Sequence, residues 1–241
     1  MFTPIAPHSS EQARANRILA SLPQREYERL LPDLALVRLP QGKELWNVGD
    51  TIHHAFFILG GMVSLISSTA QGTSVEVGMI GSEGLAGVSS ILRFDTAPYQ
   101  SVVQIPMTAL RIKVGVLTRE FNRGGDLQTA LLRYTHALLM QLAQAASCNR
   151  FHTAEERLCR WLLTARDRAE TDHLQLTHEF LAQMIGVPRT NVTMITGRIQ
   201  KMGYVRCGRG FVHILDRRGL ENFSCECYQV ISDELSRHVA A

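Results

Sequence analysis

From Asp126 to about Arg150 an apolar row (Leu127, Leu131, Tyr134, Leu138, Leu142 and Ala145) repeats at three and four residues, unbroken by proline and preceded by Gly125. That spacing predicts one helix of roughly 25 residues, about 37 Å long at about 1.5 Å per residue. The flank of the same helix adds Ala130, Ala137, Leu139, Met140, Ala143 and Ala146, so it is apolar on more than one side. One stripe can pack on a neighbouring β-domain. The rest asks for a second partner, most simply the same helix of another subunit. A helix sandwiched between two domains of one chain is the alternative.

The texture differs on either side of this rod. Residues 11–35 alternate helical patches with Pro23 and Pro32, which suggests two short helices. From Leu36 to Val116, short apolar runs (AFFIL, MVSLI, SVEVGMI, SVVQI, ALRIKV) are separated by Gly42, Gly49, Gly60-Gly61, Gly72, Gly81 and Gly84. Strands of four to seven residues with glycine turns read as a β-roll, barrel or sandwich. After CNRFH (148–152) a new helical pattern begins, EERLCRWLLTARDRA, with Leu158, Trp161, Leu162 and Ala165 on its apolar face. The expected organisation is a β-domain with short N-terminal helices over 1–125, a long helix and hinge over 126–151, and a third domain over 152–241, within the 241 residues available.

Five cysteines, all between Cys148 and Cys227, make no disulfide framework and suit a reducing cytoplasm. The N-terminal MFTPIAPHSSEQARANR has no apolar leader core, and no run approaches a membrane span, so a soluble intracellular protein is expected.

LTHEFLAQMIGVPRTNVTMITGRIQKMGYV, Leu176 to Val205, reads as helix, glycine turn, helix. Thr177 suits an N-cap, Gly186 the turn, and Pro188 the first position of the second helix. With Val192, Ile195, Ile199 and Met202 facing inward, Thr190, Thr193, Met194, Gly197 and Lys201 face outward, Arg189 sits at the helix entrance, and Asn191 joins them as a candidate DNA contact. The arrangement is that of a helix-turn-helix. YVRC-GRG-FVHIL then forms a hairpin whose tip, Arg209, would sit beside a phosphate. Net charge over the whole chain is only +3. From Gly186 to Gly219, however, Arg189, Arg198, Lys201, Arg206, Arg209, Arg217 and Arg218 face Asp216 alone, a local +6. A helix-turn-helix with a hairpin can also be a protein-docking scaffold, but the basic segment favours DNA. No glycine-rich phosphate loop, G-x-S-x-G elbow or H-E-x-x-H helix suggests an enzyme.

GSEGLAG, the long helix, RLCRWLL, LTHEFLAQMIGVPRTNVT, MGYVRCGRGFVHILDRRGLE and CECY together resemble the Crp/Fnr superfamily of bacterial transcription regulators over nearly the whole chain. AASCNRFH and SCECY resemble one branch of it in particular. The resemblance implies an α+β fold: an N-terminal cyclic-nucleotide-binding-like β-roll (jelly roll), a dimerisation helix and a C-terminal winged helix-turn-helix. It also implies homodimers on pseudo-palindromic double-stranded DNA, activating or repressing transcription, with RNA polymerase as a partner. Well-known members carry Arg, then Glu, then a second Arg four residues after that Glu, on the reading helix. Here only the first remains, as Arg189, while Thr190 and Met194 stand at the other two positions. Arg189 can still pair with guanine O6 and N7, worth about 1–3 kcal/mol of discrimination. Threonine and methionine methyls suit thymine. The expected half-site keeps one specified G·C pair beside T-rich positions.

Nucleotide-binding members hold the ribose and phosphate with a Gly-Glu and an Arg-Ser pair. Here these become Gly87-Val88, followed by Ser89, and Gln100-Ser101. Between Lys43 and Arg111 the only cation is Arg93, a poor basis for an anionic ligand. Cyclic-nucleotide binding is therefore disfavoured. An N-terminal iron–sulfur cluster is excluded, because no cysteine precedes Cys148. Haem would need His53, His54 or His136. Cys148 with His152, and Cys225 with Cys227, read as structural rather than metal-ligating, with oxidation of Cys148 a minor alternative. No metal or cofactor is expected, and the effector is open.

Overall fold

The computed structural model describes residues 13–239, so most of the N-terminal stretch read above for a leader lies outside the described residues. Contacts divide the chain into two compact units. Of the described residues, one takes in 13–65, Met79–Leu139 and 234–239; the other is Ile66–Gly78 with Met140–Asp233.

In the first unit the two expected short helices are α1 (Arg17–Ala20) and α2 (Gln24–Leu30). Asn16, fully buried, caps α1 by accepting from the Leu19 N–H at 3.2 Å. Its amide donates to the carbonyls of Ile58 (2.9 Å) and Gly84 (2.8 Å). One side chain thus starts a helix and pins it to the sheet. The sheet comprises β1 (Ala35–Leu39), β2 (Glu44–Trp46), β3 (His54–Ser68), β4 (Ser74–Ile80), β5 (Leu85–Ala86) and β6 (Gln100–Lys113). Its main path runs β1-β6-β3-β4, with β2 on β6 and β5 on β3. β1 and β6 are antiparallel, Ala35 opposite Arg111 and Leu39 opposite Met107.

Two strands are longer than expected. AFFIL and MVSLI form one 15-residue strand running through Gly60-Gly61, and SVVQI and ALRIKV form one of 14 residues. Gly61 has φ +85°, and a Cβ there would overlap the Pro106 carbonyl on β6. The glycine is needed for close approach inside a strand rather than for a turn.

After α3 (Val114–Phe121), the long helix α4 spans Asp126–Phe151, 26 residues, one past its expected end. Gly125, at φ +87°, delivers the chain to it. The Glu26 carboxylate of α2 accepts from the N–H groups of Asp126 (3.3 Å) and Leu127 (2.8 Å). A carboxylate there satisfies two orphan donors and complements the helix dipole. Within the first unit, Gly84 of GSEGLAG lies so close to the Tyr134 ring that any Cβ would overlap it.

The apolar row that marks the helix in the sequence is the inward one. Leu127, Leu131, Tyr134, Leu138 and Ala145 are buried and Leu142 is half-buried. The flank carries the exposed apolar side chains: Leu132 (48%), Leu139 (60%) and Met140 (42%).

The second unit contains α5 (Ala154–Ala169), β7 (His173–Leu174), α6 (His178–Ile185), α7 (Arg189–Lys201), β8 (Val205–Gly208), β9 (Phe211–Ile214), α8 (Arg217–Phe223) and the start of α9 (Cys227–Val239). Thr153 and Glu156 close a full capping box at the head of α5. Leu158, Trp161, Leu162 and Ala165 are all fully buried, as the periodicity predicts. The Trp161 indole N–H donates to Glu76 Oε1 at 2.9 Å, from the hairpin tip that belongs to this unit.

Candidate nucleic-acid interface

Thr177 caps α6, its hydroxyl accepting from the Phe180 N–H at 3.1 Å. Gly186, at φ +64°, ends the helix in the left-handed conformation. Pro188 stands one residue earlier than expected, as the N-cap of α7, and its carbonyl accepts from the Asn191 (3.0 Å) and Val192 (3.4 Å) N–H groups. Val192, Ile195 and Ile199 are buried, as expected. Met202 is not: α7 ends at Lys201, and Met202, past the last core turn, is 40% exposed.

Arg189, Thr190, Thr193, Met194, Gly197 and Lys201 all lie on the exposed face of α7, and Asn191 is half-buried. Met194 is 68% exposed, a large apolar side chain standing in water on the face expected to read bases. Arg189 comes within 3.9 Å of Glu179, both side chains largely in solvent. Such a pair contributes little and leaves the guanidinium available.

The Thr193 hydroxyl is tied inward. It lies 3.1 Å from His178 Nδ1 and donates to the Arg189 carbonyl at 3.2 Å. The other ring nitrogen of His178 is 3.3 Å from the hydroxyl of buried Thr196. His178 therefore joins the two helices, a role that nothing in the local sequence marks.

Two of the seven cations serve the fold. Arg198 donates twice to Glu155 (3.1 and 2.9 Å). Arg217 donates to Asp167 and Tyr228 (each 2.6 Å) and to Glu221 (2.7 Å). Arg189, Lys201, Arg206, Arg209 and Arg218 stay exposed, a smaller basic face than the bare count suggests.

The wing is a three-stranded sheet in the order β7-β9-β8. Val205 pairs with Ile214 and Gly208 with Phe211, leaving Arg209 and Gly210 at the tip. Gly210 has φ +83°, and Arg209 is exposed there. Gln200 near the end of α7 accepts from the Cys207 N–H at 2.6 Å, holding the wing to the reading helix.

In the first unit Gly87, Val88, Ser89 and Ser101 line one small cavity together with Trp46 and Tyr99. Arg93 and Gln100 stand outside that lining. Arg93 is exposed in a left-handed conformation (φ 64°) at the end of the short helical turn Val88–Leu92. Gln100 donates to Glu44 (3.0 Å) and Asn47 (3.2 Å). The lining is mainly apolar and holds no cation. His53 and His136 are exposed and His54 half-buried, none of them in the lining.

A β-roll, a long helix and a winged helix-turn-helix with an exposed reading face define a DNA-binding transcription regulator. Residues 36–123 match the family model described as the cyclic nucleotide-binding domain, and residues 156–223 match the Crp-like helix-turn-helix domain. The chain belongs to the Crp/Fnr family. It is 24% identical over 176 residues to the transcriptional regulator SdrP of Thermus thermophilus, covering 70% of this chain and 83% of the relative. It is 23% identical over 170 residues to a global nitrogen regulator of a Nostoc species, covering 67% and 76%. Among solved structures, FixK2 of Bradyrhizobium japonicum superposes with a TM-score of 0.68 at 14% identity, covering 80% of this chain and 98% of that one. A Crp/Fnr-family regulator of Eubacterium rectale gives 0.66 at 16%, covering 86% and 96%. Identities this low carry the fold.

Proposed function

We propose that the protein acts in the cytoplasm as a homodimer on a pseudo-palindromic site, with half-sites about one helical turn, roughly 34 Å, apart. The exposed face of α7 carries this reading: Arg189 for a guanine, Thr190 and Met194 for thymine methyls, with Asn191, Lys201 and Arg209 on or near the backbone. Thr193 contributes its methyl, since its hydroxyl is engaged. The dimer contact is assigned to the exposed flank of α4, Leu132, Leu139 and Met140, because the other stripe is occupied. Residues 1–125 act as the sensor, 126–151 as the dimerisation helix and hinge, and 152–241 as the reader, with RNA polymerase as a further partner. The cavity at Gly87 and Ser101 lacks a cation and a ribose-binding carboxylate at Val88, so the sensor answers to something other than a cyclic nucleotide, or to nothing.

Selection of random duplex DNA by the purified protein, without ligand and at two salt concentrations, tests the reading. Enrichment of a palindrome with one fixed G·C pair and T-rich flanks in each half is expected. Enrichment of a half-site specifying cytosine opposite Thr190 overturns the base assignments. Binding without sequence enrichment overturns the competence of the unliganded dimer.

A further inference from the structure

Four side chains of the second unit converge where α4 ends. Cys148 lies on the last turn of α4 and His152 one helical turn on, just past its end; Cys225 precedes α9 and Cys227 is its first residue. Each pair alone is a weak signal, and the sequence reading gave both to packing. The fold brings the C-x3-H of the helix against the C-x-C of the tail. All four ligand atoms lie within 4.8 Å of one another. Cys148 Sγ is 3.5 Å from Cys225 Sγ, and Cys227 Sγ is 3.5 Å from His152 Nδ1. Around a tetrahedral zinc ion with Zn–S of about 2.3 Å, neighbouring ligand atoms stand about 3.5–3.8 Å apart. The constellation needs small shifts to close on such an ion.

We propose that Cys148, His152, Cys225 and Cys227 form a closed Cys3His site for zinc. Three thiolates and an imidazole in a tetrahedral array select this ion over the oxygen-seeking divalent cations. The three cysteines are 0–4% exposed, so the site leaves no open position for substrate and is structural in kind.

The surroundings fit the same assignment. With Nδ1 of His152 turned to the sulfurs, Nε2 lies 3.2 Å from the Glu226 carboxylate, the carboxylate–histidine relay that orients a metal-bound imidazole. Gln144 donates to Cys227 Sγ at 3.0 Å. Three thiolates with one divalent ion leave a net charge of −1 in a buried place. The cation of buried Arg160 acts on Cys148, and the Arg157 guanidinium feels both Cys148 and Cys225. The ion would fasten the last turn of the long helix to a segment more than seventy residues further along the chain.

Elemental analysis of the full-length protein, reconstituted with zinc under reducing conditions and desalted, is the test. About one zinc per chain is expected, and replacement by cobalt(II) should give sulfur-to-metal charge-transfer bands with the intense visible absorption of a tetrahedral site. Cys225→Ser should lose the ion and the bands, and Cys207→Ser should keep both. Should Cys225→Ser fail to fold, Glu226→Gln keeps all four ligands and should weaken zinc about 10–100-fold in competition with a chelator. Wild-type protein that retains no stoichiometric zinc, a cobalt spectrum without sulfur charge transfer, or full zinc retention by a folded Cys225→Ser overturns the proposal. None of these readouts involves DNA, so the site and the DNA reading fail or stand separately.

Discussion

Arg189 and Arg209 are both exposed arginines of the reading head, yet they should behave differently. Arg189→Ala should cost about 1–3 kcal/mol on a selected site and little on a scrambled one, relaxing the preference at a single base pair. Arg209→Ala, at the wing tip, should weaken both duplexes alike and lower the slope of log K against log salt by about 1. Anisotropy titrations against the two duplexes at several salt concentrations separate these outcomes. Thr193→Val removes hydrogen bonds to His178 and Arg189 while retaining a methyl. It should lower stability by about 1 kcal/mol and leave the preferred half-site unchanged, checked by denaturant unfolding and repeated selection. The outward residues of α7 were legible in the sequence, because a helix repeats every 100° and Val192, Ile195 and Ile199 fix which side is inside. His178 was not, since its role exists only once α6 and α7 cross. The two cysteine-bearing segments were illegible as one cluster for the same reason: each is a short motif with no local partner.

On the long helix, the periodicity gave position and length to within a residue but not the use of each stripe. The sequence shows two apolar faces; only packing shows that Leu131 is fully buried while Leu139 is 60% exposed. The two should therefore part company on substitution. Leu131→Ala should destabilise the protein by about 2–5 kcal/mol without altering its assembly. Leu139→Glu should leave the fold intact and convert the protein to a monomer on sedimentation; a dimer surviving that change would remove this flank from the interface. Thr153 caps the head of α5, and Thr153→Ala should cost about 1 kcal/mol in thermal or denaturant unfolding. Strand lengths were harder to read. Gly60-Gly61 gives the same signal for a turn and for a close approach inside a strand, and what decides is Pro106, 45 positions away on β6.

Taken whole, the chain passes between its two compact units four times, at residues 65–66, 78–79, 139–140 and 233–234. The DNA-reading unit is thus assembled from separated stretches of sequence, although the family match for its helix-turn-helix is one continuous block, 156–223. Trp161, fully buried at its centre, gives its indole N–H to Glu76, and Arg168 donates to Gln141 at 2.6 Å. A fragment beginning at residue 152 lacks both acceptors. It should therefore be poorly folded by circular dichroism and tryptophan emission where the full chain is native. Modularity is consequently shallower here than the linear order implies. Recombination that exchanges reading heads between such regulators at a single crossover would leave behind the hairpin tip and the helix end that complete them. Inheritance of a new DNA preference is easier through substitutions on α7 than by transfer of the domain that carries it.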